Sequence, residues 1–215
     1  MSDEFICELL APKDIDSAGK ILVDAFLEQN AMYRTMKFTF TDLYPFIAQV
    51  LPICISEGSA FSCKNKDGTI LGAALCYPDD ADIFSRIKLD ESGRMAEAMP
   101  YFAQLAEKTD APLQPLRKDK KLVNFALLGV SAEAKGLGIG TALTKYAMDA
   151  LAQRFDAAYL EALSPASAKT AEKNGFVFLG ETPYKDSGIE ALNELEGSIC
   201  LCYYEFDKKA AGPAE

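Results

Sequence analysis

The 215-residue chain contains no histidine. That absence removes Ser-His-Asp and Cys-His catalytic pairs, histidine-ligated zinc and histidine general bases. Any proton transfer falls to a carboxylate, a tyrosine, cysteine or lysine, a water or the backbone. A basic surplus is missing too. With 22 Lys and Arg against 32 Asp and Glu, the net charge is -10, the wrong sign for a nucleic-acid partner, whose phosphates are bound mainly by Lys and Arg. Such a surface keeps a protein soluble and accommodates a cationic small molecule. No apolar run is long enough to span a bilayer, so no membrane partner is expected. The opening MSDEFICELL shows neither a basic start nor a cleavable apolar stretch, and a cytoplasmic location is the expectation. Cys7, Cys54, Cys63, Cys76, Cys200 and Cys202 form no CxxC pair. Each lies among apolar neighbours, as buried free thiols of a reducing compartment do. Cys200 and Cys202 would share one strand face, poor geometry for a chelate, so no metal site is expected.

What is present reads as one domain. A hydrophobic content of 49% supports a sizeable core. The length suits a single domain over 1–207, with a helical insertion at about 79–121 and a flexible tail at 208–215. Residues 4–10 read as a strand, and Pro12 suits the first turn of a helix carrying Ile15, Ala18, Leu22, Ala25 and Phe26. A second helix at about 42–56 should kink or end at Pro52. AFSCK and TILGAALCY read as strands joined by a tight NKDG hairpin. The insertion holds one amphipathic segment around 92–108. LVNFALLGV (122–130) is then a buried strand, followed by a helix at about 139–154 with an inward stripe of Leu143, Ala147, Ala150 and Leu151. AAYLEAL (157–163) is a strand, and 165–174 a helix stopped by Gly175. FVFLGE and SICLCYYEF are strands, the last apolar on both faces as an interior strand should be.

The segment VSAEAKGLGIGTAL spends glycines at 136, 138 and 140, where the backbone must turn sharply or something must come close to it. A strand, a glycine-rich turn and a helix leave unpaired N–H groups at a helix N-terminus, and missing Cβ atoms admit a phosphate. Charge-assisted hydrogen bonds, at about 1.5–3 kcal/mol each, outweigh a helix dipole worth about 0.3–1 kcal/mol, so the loop favours a diphosphate. A dinucleotide site would need G-x-G-x-x-G and an acidic residue about 20 positions on. Glu161 meets the second requirement, but the third glycine would fall at Thr141 or Leu143. A Walker loop is excluded because no glycine-Lys-Ser/Thr follows.

VSAEAKGLGIGTAL resembles the coenzyme A loop of the GNAT N-acetyltransferase superfamily, Arg/Gln-x-x-Gly-x-Gly/Ala after a strand, with Lys135 in the Arg/Gln position and Gly138 and Gly140 matching. Downstream, YLEALSPASAKTAEKNGFVFLGE looks like that family's next strand, helix and Gly-Phe step. The resemblance implies an α/β (α+β) fold: a mixed, largely antiparallel sheet of six to seven strands, splayed at the acetyl-CoA site and flanked by helices. Pantetheine would lie between the strands at 122–130 and 157–163, bonded to backbone at Leu128 and Val130 like an added strand. Its pyrophosphate would meet Lys135 and the amides of Gly136, Leu137, Gly138, Ile139, Gly140 and Thr141. Lys135 keeps the positive charge and loses the bidentate fork.

The implied reaction is attack of an acceptor amine on the thioester of acetyl-CoA. The backbone N–H of Val130 would polarise the carbonyl, a type of donor worth about 10²–10³ in rate. Glu161 shares a strand face with Tyr159 and would bind the ammonium or take its proton. Many family members carry a Tyr that protonates the departing sulfur; Ala171 stands there. Ser164, which also suits a helix N-cap, could hold a water or contact the pantetheine. Tyr33 and Arg34 fall where the family selects acceptors, and Tyr184 and Tyr203 are weaker replacement acids. The expected partners are acetyl-CoA and a small amine, with the protein a monomer or homodimer. A non-catalytic acyl-CoA-binding module is the alternative, prompted by Ala171, and a dinucleotide-dependent oxidoreductase stands behind it.

Overall fold

The computed structural model describes residues 5–207; the tail assigned to 208–215 lies outside them. Strand β1 (Phe5–Leu9) leads through a single turn opened by Pro12 into α1 (Ile15–Gln29). The short α2 (Ala31–Thr35) and then α3 (Phe40–Ser56) follow. α3 starts two residues before the expected position because Thr39 and Asp42 form a capping box, with Thr39 N–H donating to Asp42 Oδ2 at 2.8 Å. Pro52 does not end it. Leu51 and Cys54 on either side of the proline are fully buried, and burying that face offsets the roughly 3 kcal/mol that an interior proline costs.

Strands β2 (Ala60–Asn65) and β3 (Ile70–Pro78) form the expected hairpin. Asn65 Oδ1 accepts from the amides of Asp67 and Thr69, at 3.0 and 2.8 Å, which closes the turn. Between β3 and the next strand the chain forms α4 (Arg94–Thr109), flanked by single turns. Its Met95, Ala98 and Leu105 are buried, as is Leu113 just beyond it, so this segment adds to the core.

Then come β4 (Leu122–Val130), α5 (Ile139–Leu151), β5 (Ala157–Ala162), α6 (Pro165–Lys173), β6 (Val177–Pro183) and β7 (Ser198–Glu205). α5 stops three residues short of the expected end, and Ala150 is exposed. The buried stripe is Ile139, Leu143, Thr144, Ala147, Met148 and Leu151, which drifts to the other side of Ala147 as a 3.6-residue period requires. α6 ends at Lys173 with Asn174 as its cap, and Gly175 just beyond has the φ of 81° of a left-handed helix stop.

The seven strands form one sheet in the order β1-β2-β3-β4-β5-β7-β6. All neighbours are antiparallel except β4 and β5. α5 and α6 cover one face, over Phe61, Cys76, Val123 and Ala158; α1, α3 and α4 cover the other, over Ala73 and Leu75. This is not the doubly wound parallel sheet of a dinucleotide-binding fold. Cys7 and Cys63 are cross-strand partners joined in a disulfide, so the expectation of free thiols fails for that pair. It holds for Cys54, Cys76, Cys200 and Cys202. Burial pushes the Cys54 thiol up to about 12, which leaves it unreactive. No helix among the described residues is long and apolar enough to cross a membrane.

Candidate active site

The parallel pair β4–β5 is registered only at Leu122–Ala157, Val123–Ala158 and Asn124–Tyr159. Beyond Asn124 the strands part. An irregularity in the β3–β4 ladder coincides with that point, since Cys76 faces Phe125 while Leu75 faces Leu127, leaving Ala126 as an extra residue. Past the bulge, the ladder alternation decides where each β4 amide points. Ser131 N–H bonds to Leu71 O at 2.8 Å, and Gly129 and Leu127 face Ala73 and Leu75. Amides of 127, 129 and 131 therefore turn toward β3, and those of Leu128 and Val130 turn into the gap that β5 has vacated.

The gap runs directly into the glycine loop. Gly136 and Gly138 have φ of 81° and 82°, with open space where a Cβ would stand. They are glycines because the turn needs left-handed backbone. Gly140 has no such strain: a Cβ there would make ordinary contacts, 3.6 Å from Val130 and 3.7 Å from the Thr170 hydroxyl, at the cavity wall between β4 and α6. The N–H groups of Gly136, Gly138, Ile139, Gly140 and Thr141 make no backbone hydrogen bond among the described residues, whereas Leu137 N–H is spent on Ala134 O at 3.3 Å. Three of these amides belong to the first turn of α5, where a helix has no internal partner for them.

A cavity of about 470 Å³ occupies the splay. It brings together Leu128, Val130, Lys135, Gly136, Gly138, Ile139, Gly140, Thr141, Glu161 and Ser164, residues spread over 37 positions of sequence. Three expected contributors stand apart from the wall. The Leu137 side chain is 52% exposed. Arg34 is exposed and donates back to the carbonyl of Glu28. Tyr33 is packed edge-on against Phe26 and Phe38 in an aromatic group completed by Phe102. Lys135, beside the partnerless amides of the loop, is ion-paired with Glu28 at the end of α1.

Glu161 sits at the open end of β5. Its Oε1 is buried with no hydrogen-bond partner. Burial, reinforced by the charge of Asp110 and opposed by Arg117, pushes its carboxyl up to about 7. The carboxylate also acts, after burial, to raise the phenols of Tyr33 and Tyr77, so both rings lie within its field. Below it is a polar network absent from the sequence-based expectations. Arg117 forks onto Asp79 at 2.7 and 2.8 Å and reaches Asp110 at 2.8 Å; Tyr159 donates to Asp79 at 2.7 Å. Burial opposes ionisation of Asp79, but the Arg117 and Tyr159 bonds hold its carboxyl below the usual range. Burial wins at Asp110, whose carboxyl is raised. No motif marks these residues, because the fold alone brings 79, 110, 117 and 159 together.

Ser164 is the N-cap of α6. Its Oγ accepts from Ser167 N–H at 3.2 Å, and Ser167 Oγ donates to Ser164 O at 2.8 Å. Ala171 is buried in the core beneath α6. Tyr184 and Tyr203 are core residues outside the cavity wall.

No family model matches the sequence, and no curated protein matches it. Solved structures match in shape. Arylalkylamine N-acetyltransferase 2 from Aedes aegypti superposes with a TM-score of 0.76 at 17% identity, covering 94% of this chain and 99% of that one. The C-terminal condensation domain of Ebony, in complex with beta-alanyl-dopamine, gives 0.75 at 11% identity over 94% and 99%. A GNAT superfamily phosphinothricin acetyltransferase from Sinorhizobium meliloti, in complex with AcCoA, gives 0.63 at 15% identity over 99% and 94%. The chain has the GNAT fold.

Proposed function

We propose that the protein is an acetyl-CoA-dependent N-acetyltransferase whose acceptor is the amine of a small molecule. The observation that carries this reading is the set of partnerless backbone amides at Leu128, Val130, Gly136 and residues 138–141, opening on the same cavity as a buried carboxylate. Leu128 and Val130 hold the pantetheine arm as an added strand would be held. Gly136, Gly138, Ile139, Gly140 and Thr141 hold the pyrophosphate, with Lys135 exchanging Glu28 for it. Leu137 drops out of that cradle, its amide being spent within the loop.

Acetyl-CoA supplies an acetyl group already activated as a thioester. Val130 N–H polarises its carbonyl oxygen. Glu161 receives the acceptor as an ammonium and takes one proton from it, directly or through a water; with its carboxyl at about 7 it is half ionised near neutral pH. The amine nitrogen then bonds to the acetyl carbon as the carbon–sulfur bond breaks. Sulfur leaves as a thiolate, tolerable for a thiol with a pKa of about 8.5, and takes up, directly or through a water, the second proton that the acylated nitrogen releases. Ser164 places a water or the end of the pantetheine at the cavity wall.

A second reading, an acyl-CoA-binding module without turnover, is favoured by one observation: Ala171 offers no hydroxyl to the departing sulfur. Calorimetry with acetyl-CoA and NADH, followed by free-thiol release across an amine panel, separates the readings. Micromolar or tighter binding of acetyl-CoA over NADH, with amine-dependent thiol release, supports the transferase. Binding without release leaves the module, and indifference to acetyl-CoA refutes both.

A further inference from the structure

Asn30 ends α1 and caps α2. Its Oδ1 accepts from Met32 N–H at 3.0 Å, which fixes the orientation of the amide, since only the oxygen can accept. The residue is 4% exposed, and Nδ2 is buried with no acceptor among the described residues. Buried donors without partners are few in native proteins. Asn30 also lines the cavity, so an occupant of that cavity is the available source of the missing acceptor.

The position of Asn30 indicates which occupant. Met32, which donates its N–H to Asn30, and Tyr33 pack in one cluster with Leu163, a cavity-lining residue two positions past Glu161, whereas Glu28 on the other side of Asn30 reaches Lys135 of the glycine loop. Through α2, Asn30 therefore borders the Glu161 end of the cavity. The acyl oxygen already has the β4 amides. Among the residues lining the cavity, two orphaned groups of opposite kind remain: a donor, Asn30 Nδ2, and an acceptor, Glu161 Oε1.

We propose that Asn30 determines acceptor specificity, donating from Nδ2 to an uncharged oxygen, a hydroxyl or an amide carbonyl, carried by the same small molecule whose amine is held by Glu161. The substrate class is then an amino alcohol or an amino-acid amide. A second ammonium is rejected because Nδ2 can only donate. A carboxylate is rejected by the Glu161 and Asp110 charges beside it.

This inference rests on the acetyltransferase reading for the acceptor's place, and binding measured without turnover keeps the two apart. The probes are 2-amino-1-phenylethanol and 2-phenylethylamine, which differ by one hydroxyl, titrated into the protein loaded with coenzyme A. The wild type binds the hydroxylated amine about ten-fold or more tightly, the scale of a buried hydrogen bond that is made or left unmade. Asn30→Ser and Asn30→Thr keep an oxygen to cap α2 and remove the amide donor, their hydroxyl being too short to reach the cavity and cap the helix at once. Both bring the ratio close to one with coenzyme affinity unchanged. Equal binding of the two amines by the wild type, a ratio that survives in both variants, or a loss confined to coenzyme affinity overturns the proposal. Discrimination without acetyl transfer would sink the transferase reading and leave this one standing; transfer to both amines alike would do the reverse.

Discussion

The two ends of the cavity are built in different ways. At the proposed coenzyme end the available groups are main-chain amides within one stretch, Leu128 to Thr141, and side chains are missing at Gly136, Gly138 and Gly140. At the proposed acceptor end they are side chains collected from remote positions, Asn30 and Glu161, with the Asp79, Asp110, Arg117 and Tyr159 network behind Glu161 and outside the cavity wall. A backbone cradle suits a ligand part that is always the same, a diphosphate and its peptide-like arm. A side-chain pocket can be altered one residue at a time, so it suits the part that varies. The first is robust to most substitutions and intolerant of a Cβ; the second is the opposite.

The largest effect falls at the acceptor end. Glu161→Gln should lower kcat/KM for amine acetylation by about 10²–10⁴, with little change in acetyl-CoA affinity. In the wild type, kcat/KM should fall as pH drops through about 7, where Glu161 takes up its proton, and Glu161→Gln should lose that limb. An equal loss of coenzyme affinity would mean that the two ends are not separate.

Arg117→Ala comes next, on stability. It strands two partly buried carboxylates, and part of the cost is relieved by solvent reaching the partly exposed guanidinium site, so roughly 2–3 kcal/mol is expected by denaturant titration. Glu161 carries a comparable stability signature of opposite sign. Its carboxyl is raised in the folded state, so the folded protein binds the extra proton between the usual value of 4.5 and about 7. Stability contributed by the neutral form is present below that window and lost as pH rises through it. Glu161→Gln should therefore be more stable than the wild type at pH 8, by about 3 kcal/mol, and indistinguishable from it at pH 4.

At the coenzyme end, Gly138→Ala places a Cβ on left-handed backbone and should cost about 1–2 kcal/mol, read as weaker acetyl-CoA binding or a lower Tm. The smallest effect is Lys135→Ala. Its partner Glu28 is exposed, so its loss should change stability by less than about 1 kcal/mol, and coenzyme affinity only a few-fold, less in high salt.

The same contrast explains what could be read from the sequence. The glycine loop and the strands around it were legible because their signals are local: a run of apolar residues, glycines at alternate positions, a helix start. The splay between β4 and β5 was reached through the resemblance, and the Ala126 bulge that coincides with it has no marker in LVNFALLGV. Pro52 misled because a proline's local cost says nothing of the burial on either side of it. Cys7 and Cys63, 56 positions apart, became partners only through strand register. Asp79, Asp110 and Arg117 read as ordinary charges in a polar insertion, and Asn30 as a residue between helices. Their roles come from contacts that no short window of sequence contains.

Amide hydrogen exchange with and without acetyl-CoA tests the central claim most directly, because it reads the backbone groups themselves. Slowed exchange at Leu128, Val130 and the amides of 136 and 138–141, with Gly129 and Leu137 little changed, is the predicted pattern. Saturating acetyl-CoA that leaves those amides exchanging as before, or protects a different surface, would contradict it.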